Sequence, residues 1–112
     1  MLEVRATQVL RAAGVEAPER QIAISALGDS YRVDLGWRHR RVLLECHGRD
    51  PHDDPAAFAR DFDRLSAIAA VTGHSILVTT WNETVRTPER LVAKVLTAFE
   101  TRGACAQSEN AF

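Results

Sequence analysis

The sequence predicts a single α/β domain: three layers, α/β/α, with element order αβββαβα around a small mixed sheet. Two observations carry that expectation. Apolar residues recur at helical spacing in three segments, and four short runs of strand character lie between them. The strand runs on either side of the central helical segment form a strand, helix, strand unit, whose right-handed crossover makes the third and fourth strands parallel.

Ala6, Val9, Leu10 and Ala13 stand at i, i+3, i+4 and i+7, which predicts a first helix over Leu2 to Ala13, closed by Gly14. After Pro18 the period changes to two, with Ile22 and Ile24 alternating against Gln21, Ala23 and Ser25. Leu27-Gly28-Asp29-Ser30 reads as a turn into a second strand over Tyr31 to Leu35. Trp37-Arg38-His39-Arg40 is a charged connection to a third strand over Arg41 to Cys46, so these three strands form an antiparallel meander. Asp54 followed by Pro55 is a cap and first-turn proline. Phe58, Phe62, Leu65 and Ala69 mark the inward stripe of the central helix, which ends near Gly73. Ser75 to Thr79 is a buried strand. Thr87-Pro88-Glu89 opens a last helix whose apolar face is Leu91, Val92, Val95, Leu96 and Phe99, with Gly103 at its end.

At 112 residues, 46% hydrophobic and 26% charged, the chain suits one domain over residues 1–103 with a flexible tail over 104–112. It is long enough to bury a core without a structural metal or disulfides. Cys46 and Cys105 lack the spacing of a zinc site or a disulfide framework, which points to a reducing cytoplasm. Charged residues near the start and the lack of a long apolar run argue against a signal peptide and a membrane span. The net charge of -1 excludes nucleic-acid binding by bulk electrostatics alone, so such a partner needs a local patch. Arg32, Arg38, Arg40, Arg41 and Arg49 supply one, whereas Asp50, Asp53, Asp54, Asp61 and Asp63 make the next stretch acidic and suited to a cation.

On the third strand Arg41, Leu43, Glu45 and His47 share one face, and Val42, Leu44 and Cys46 the other. The second strand puts Arg32 and Asp34 on a common face, and pairing of the two strands brings Asp34 close to Glu45. Two carboxylates at a sheet end repel one another unless a cation intervenes, and their oxygens suit Mg²⁺ or Mn²⁺. The alternative is structural: Asp34 and Glu45 pair with Arg32, Arg41 or Arg64. Cys46 belongs to the opposite layer as a core thiol, and Trp37 and Trp81 cover the sheet ends or stack on a base. Asp61 and Arg64, at i and i+3, are either an intrahelical ion pair or a device that holds a site group. Glu3 either favours its helix N-terminus or reaches the site.

Tyr31-Arg32-Val33-Asp34-Leu35-Gly36-Trp37, Val42-Leu43-Leu44-Glu45-Cys46-His47-Gly48-Arg49, His52 and Phe58-Ala59-Arg60-Asp61-Phe62-Asp63-Arg64 together resemble the very-short-patch-repair-like endonucleases. The likeness is to a bacterial branch of that group within the PD-(D/E)xK nuclease superfamily, and it covers Glu3 to about Phe99. Gln21 and Trp81 stand where that branch often has Gln and Trp. The resemblance implies a restriction-endonuclease-like core and a Mg²⁺-dependent DNA endonuclease, with Mn²⁺ as substitute. Asp34 and Glu45 become the metal-binding and catalytic carboxylates. His47 stands at the signature lysine position, where the branch usually carries Asp, and it and His52 become the proton-moving groups. Glu3, Asp61 and Arg64 support the site. Arg38, Arg40, Arg41 and Arg49 are the residues expected to meet DNA phosphates. Arginine supplies thirteen of the fourteen basic residues, and the one lysine, Lys94, lies in the last helix away from the site. That departure from the signature keeps a second expectation in view: a nuclease-like fold that binds nucleic acid or protein without cleaving. The small domain implies that specificity comes from a homodimer, a larger-complex partner or a structural feature of the DNA such as a mismatch, flap or junction, and the lack of a long apolar run implies no membrane partner.

Overall fold

The structure is a computed structural model that describes residues 1–47 and 54–110, with side chains through 103. Its elements are α1 (Leu2–Ala12), β1 (Glu19–Ala26), β2 (Asp29–Trp37), a 3₁₀ turn (Arg38–Arg40), β3 (Val42–His47), α2 (Pro55–Thr72), β4 (Ser75–Thr80), α3 (Trp81–Arg86) and α4 (Pro88–Asn110). The sheet order is β1-β2-β3-β4. The first three strands are antiparallel neighbours, and β4 is parallel to β3, with Val42 opposite Ser75 and His47 opposite Thr80.

Local chemistry accounts for most boundaries. α1 closes with a Schellman motif: Gly14 N–H bonds Arg11 O at 3.0 Å and Val15 N–H bonds Leu10 O at 3.0 Å, while Gly14 takes φ +78°. Leu10 and Val15 then meet in the core. The hairpin loop is Leu27-Gly28, both at positive φ, so β2 begins at Asp29 and is longer than its apolar pattern suggests. Asp54 caps α2 by accepting the Ala57 N–H at 3.1 Å, and Gly73 ends the helix in the left-handed region.

Apolar side chains fill both faces of the sheet. Ala6 and Leu10 of α1 and Leu91 and Val95 of α4 pack on Leu35, Trp37, Val42 and Leu44. On the other face Ile68 of α2 packs on Ile22, Val33 and Leu43. Glu45 belongs to this second face and Cys46 to the first, as alternation along β3 requires.

Three expectations are corrected. The inward stripe of α2 lies one position earlier than Phe58, Phe62, Leu65 and Ala69. Phe58 is 40% and Phe62 64% exposed, while Ile68 is buried and Arg64 turns toward the sheet, a rotation that brings its guanidinium onto the buried Glu45. A short helix, α3, follows β4, where the Thr80 hydroxyl accepts the Glu83 N–H at 3.1 Å. Finally, α4 continues through Gly103 to Asn110, since a glycine tolerates a helix interior at modest cost.

A candidate carboxylate site

The β2–β3 ladder runs from Trp37↔Val42 to Leu35↔Leu44 and stops there. Asp34 and Glu45 are the next facing positions. Instead of a backbone pair, the Asp34 carboxylate crosses the gap and its Oδ2 accepts the Cys46 N–H at 3.0 Å. A matching irregularity lies on the other side of β2. Gln21 takes φ +53° and faces Asp34 without a ladder pair, between Arg20↔Leu35 and Ile22↔Val33. The expected strict alternation of β2 fails at this point. Val33 faces α2 and Leu35 faces α1 and α4, so the chain changes face around Asp34. A disrupted ladder of this kind re-aims a side chain, here the Asp34 carboxylate.

Glu45 is 7% exposed. Its Oε1 meets the Arg64 guanidinium at 3.1 Å, and Oε2 is buried with no hydrogen-bond partner among the described residues. Burial first, and the neighbouring Asp34 carboxylate second, push the Glu45 carboxyl up to about 8, against the pull of Arg64. Arg64 also donates to Arg32 O at 3.2 Å and lies 3.9 Å from Asp61, so α2 delivers a guanidinium tethered at three points. The intrahelical pair and the grip on Glu45, expected as alternatives, coexist.

Glu3 reaches the site region from α1. Its carboxylate accepts the Gln21 side-chain N–H at 2.9 Å. Cys46 sits among these acids: burial, then Asp34, Glu3 and Glu45, push its thiol up to about 12. Such a thiol is no nucleophile at neutral pH. His47 closes β3 with its Nε2 buried and unpartnered among the described residues. Arg49 and His52 lie outside the described residues.

The structure separates Arg38, Arg40 and Arg41 from the Asp34 and Glu45 carboxylates. Arg38 pairs with Glu19 at 2.6 Å, and Arg40 and His39 share Glu16 at 2.9 and 3.0 Å. The hydrogen bond from Arg40 is the main cause that holds Glu16 below its ordinary value, and the bond from Arg38 does the same for Glu19. Arg40 also lies 4.6 Å above the Phe99 ring of α4. Arg41, in the left-handed region at φ +60°, precedes the first residue of β3, about 13 Å of strand from Glu45. Arg38, Arg40 and Arg41 therefore stand at the opposite end of β3 from His47, and Arg40 is on the α4 side.

Trp37 is 1% exposed, donates to Glu16 O at 2.8 Å and meets Phe99 edge-on at 5.1 Å, so it is core and not a base platform. Trp81 opens α3 and is 48% exposed. Lys94 bonds Val78 O at 2.7 Å and Glu83 at 2.6 Å, which ties the only lysine to the end of β4. Among the described residues no three His, Cys, Asp or Glu side chains are placed to share a metal, and no helix is long and apolar enough to cross a membrane. Comparison with protein-family models, curated proteins and solved structures finds no match.

Proposed function

We propose that this chain is a metal-dependent DNA endonuclease with a restriction-endonuclease-like α/β/α core. The observation that carries the reading is the convergence of Asp34 and Glu45 where β2 and β3 part, close enough for the Asp34 carboxylate to push up the Glu45 carboxyl, with Glu45 Oε2 buried and given no donor among the described residues. Two hard carboxylates suit Mg²⁺ or Mn²⁺, and a two-residue anchor suits an ion that keeps several waters. When bound, such an ion lowers the pKa of a coordinated water and offsets charge on the phosphate. The chain's own groups have distinct tasks. Arg64 holds Glu45 Oε1, which leaves Oε2 for a cation, and the Cys46 N–H fixes Asp34 Oδ2. Glu45 gives up its proton to receive the ion. His47 takes or delivers a proton at Nε2, with His52 as the second group for that task. Specificity would come from a homodimer, a larger-complex partner or a structural feature of the DNA such as a mismatch, flap or junction.

The commitment of Lys94 to Val78 and Glu83 favours a second reading, a catalytically weak or inactive nuclease-like fold that binds nucleic acid or protein. Nicking of supercoiled plasmid in Mg²⁺ or Mn²⁺ separates the two. The nuclease reading expects metal-dependent nicking that Asp34→Asn abolishes and His47→Ala lowers more than His47→Lys. Nicking that survives Asp34→Asn assigns the activity elsewhere; DNA binding without nicking in any variant supports the second reading.

A further inference from the structure

A recess of about 190 Å³ opens where the 3₁₀ turn meets α4, lined by His39, Arg40, Arg41, Phe99, Arg102 and Gly103. It gathers three guanidinium groups and an imidazole. Among the described residues the only carboxylate bonded to any of these groups is Glu16, which Arg40 and His39 already share. Arg41 has no ion pair there, and Arg102 Nε is buried without a hydrogen-bond partner among the described residues. Arg40 is held over Phe99, which keeps its planar edge oriented. Among the described residues, two guanidinium charges are thus unmatched around one concavity.

We infer that this recess binds a phosphate monoester through Arg41 and Arg102, with Arg40 as the fixed third donor. A buried guanidinium N–H without an acceptor costs free energy that an oxyanion would relieve. Guanidinium forks match tetrahedral oxyanions with paired N–H bonds. Two unmatched positive charges select a group near -2, which a phosphate monoester carries above pH 6 and a diester or carboxylate does not. The site lies at the far end of β3 from Asp34 and Glu45 and does not rest on the nuclease reading. Its phosphate has two sources open to it, a free small phosphomonoester or the terminal phosphate of a nucleic acid.

Arginine Nε–H resonances of the ¹⁵N-labelled full chain, titrated with inorganic phosphate, test this. Saturable shifts of Arg41 and Arg102 are expected in wild type and in Asp34→Asn, with binding at least about tenfold weaker in Arg102→Gln and Arg41→Gln, as loss of a charge-assisted pair implies. Arg102→Lys and Arg41→Lys retain charge and guard against misfolding; they should also weaken binding, because the fork is lost. A 5′-phosphorylated oligonucleotide that binds through the same resonances more tightly than its 5′-hydroxyl counterpart assigns the nucleic-acid source. Response to phosphate but to neither oligonucleotide assigns the small-molecule source. The inference is overturned if chloride at equal ionic strength moves these resonances equally, if the four variants bind phosphate as wild type does, or if both oligonucleotides bind equally through them.

Discussion

Asp34 Oδ2 accepts the Cys46 N–H at 3.0 Å, in the place where the β2–β3 ladder would otherwise continue beyond Leu35↔Leu44. The side chain substitutes for a backbone acceptor, so one carboxylate both satisfies the strand and faces Glu45. Asp34→Asn retains an acceptor oxygen and Asp34→Ala does not. The alanine variant should therefore be about 1–3 kcal/mol less stable than the asparagine variant in urea unfolding, with faster amide exchange at Cys46.

Stability should fall with pH because of Glu45. Its carboxyl is raised from an ordinary 4.5 to about 8, so between those values the folded chain holds a proton that the unfolded chain has released. Stability from this group is complete below about 4.5, declines as pH rises, and levels off above about 8. Glu45→Gln removes the slope. A wild-type urea midpoint that stays as flat as that of Glu45→Gln across this window would contradict the assignment.

Removal of Arg64 leaves Glu45 buried without its cation. Arg64→Met removes the pull that holds the Glu45 carboxyl down, so relative to wild type it should cost about 1–3 kcal/mol above pH 8, where wild type gains the charged pair and the variant does not, and clearly less near pH 5, where the carboxyl is neutral in both. A double-mutant cycle with Glu45→Gln, measured at both pH values, isolates the pair.

Metal binding, if the nuclease reading holds, competes with the Glu45 proton. Mg²⁺ or Mn²⁺ should raise the melting temperature more at pH 8.5 than at pH 6, and Asp34→Asn or Glu45→Gln should abolish the effect.

Cys46 should resist alkylation in the folded chain. With its thiol pushed up to about 12, a Cys105→Ser variant at pH 8 should react with iodoacetamide only as fast as it unfolds.

Elements with strong local punctuation are legible in the amino-acid sequence. Asp54-Pro55, Gly73 and Gly14 each end or begin a helix through bonds that neighbouring residues make, so sequence spacing suffices. Thr80-x-x-Glu83 carries the same kind of capping signal for α3, but that helix has only six residues and too few apolar positions to show a helical period. The stripe of α2 differs by one position from its apolar pattern because Phe58 and Phe62 look like core by composition. Apolar character alone does not orient a helix that carries an arginine bonded to a buried acid.

The same division holds for the candidate site. Sequence by itself determined that Asp34 and Glu45 lie on adjacent antiparallel strands, that Cys46 turns away from Glu45, and that Asp61 and Arg64 share a helix side, since these follow from periods of two and 3.6. Only the tertiary structure decided that the ladder stops at Leu35↔Leu44, that β2 changes face around Asp34, and that Arg64 rather than Arg41 grips Glu45. It also sent Arg38 and Arg40 to Glu19 and Glu16 and brought Arg102 beside Arg41, far along the chain. Long-range pairing, burial and ion-pair choice depend on which surfaces meet, and no local period encodes that.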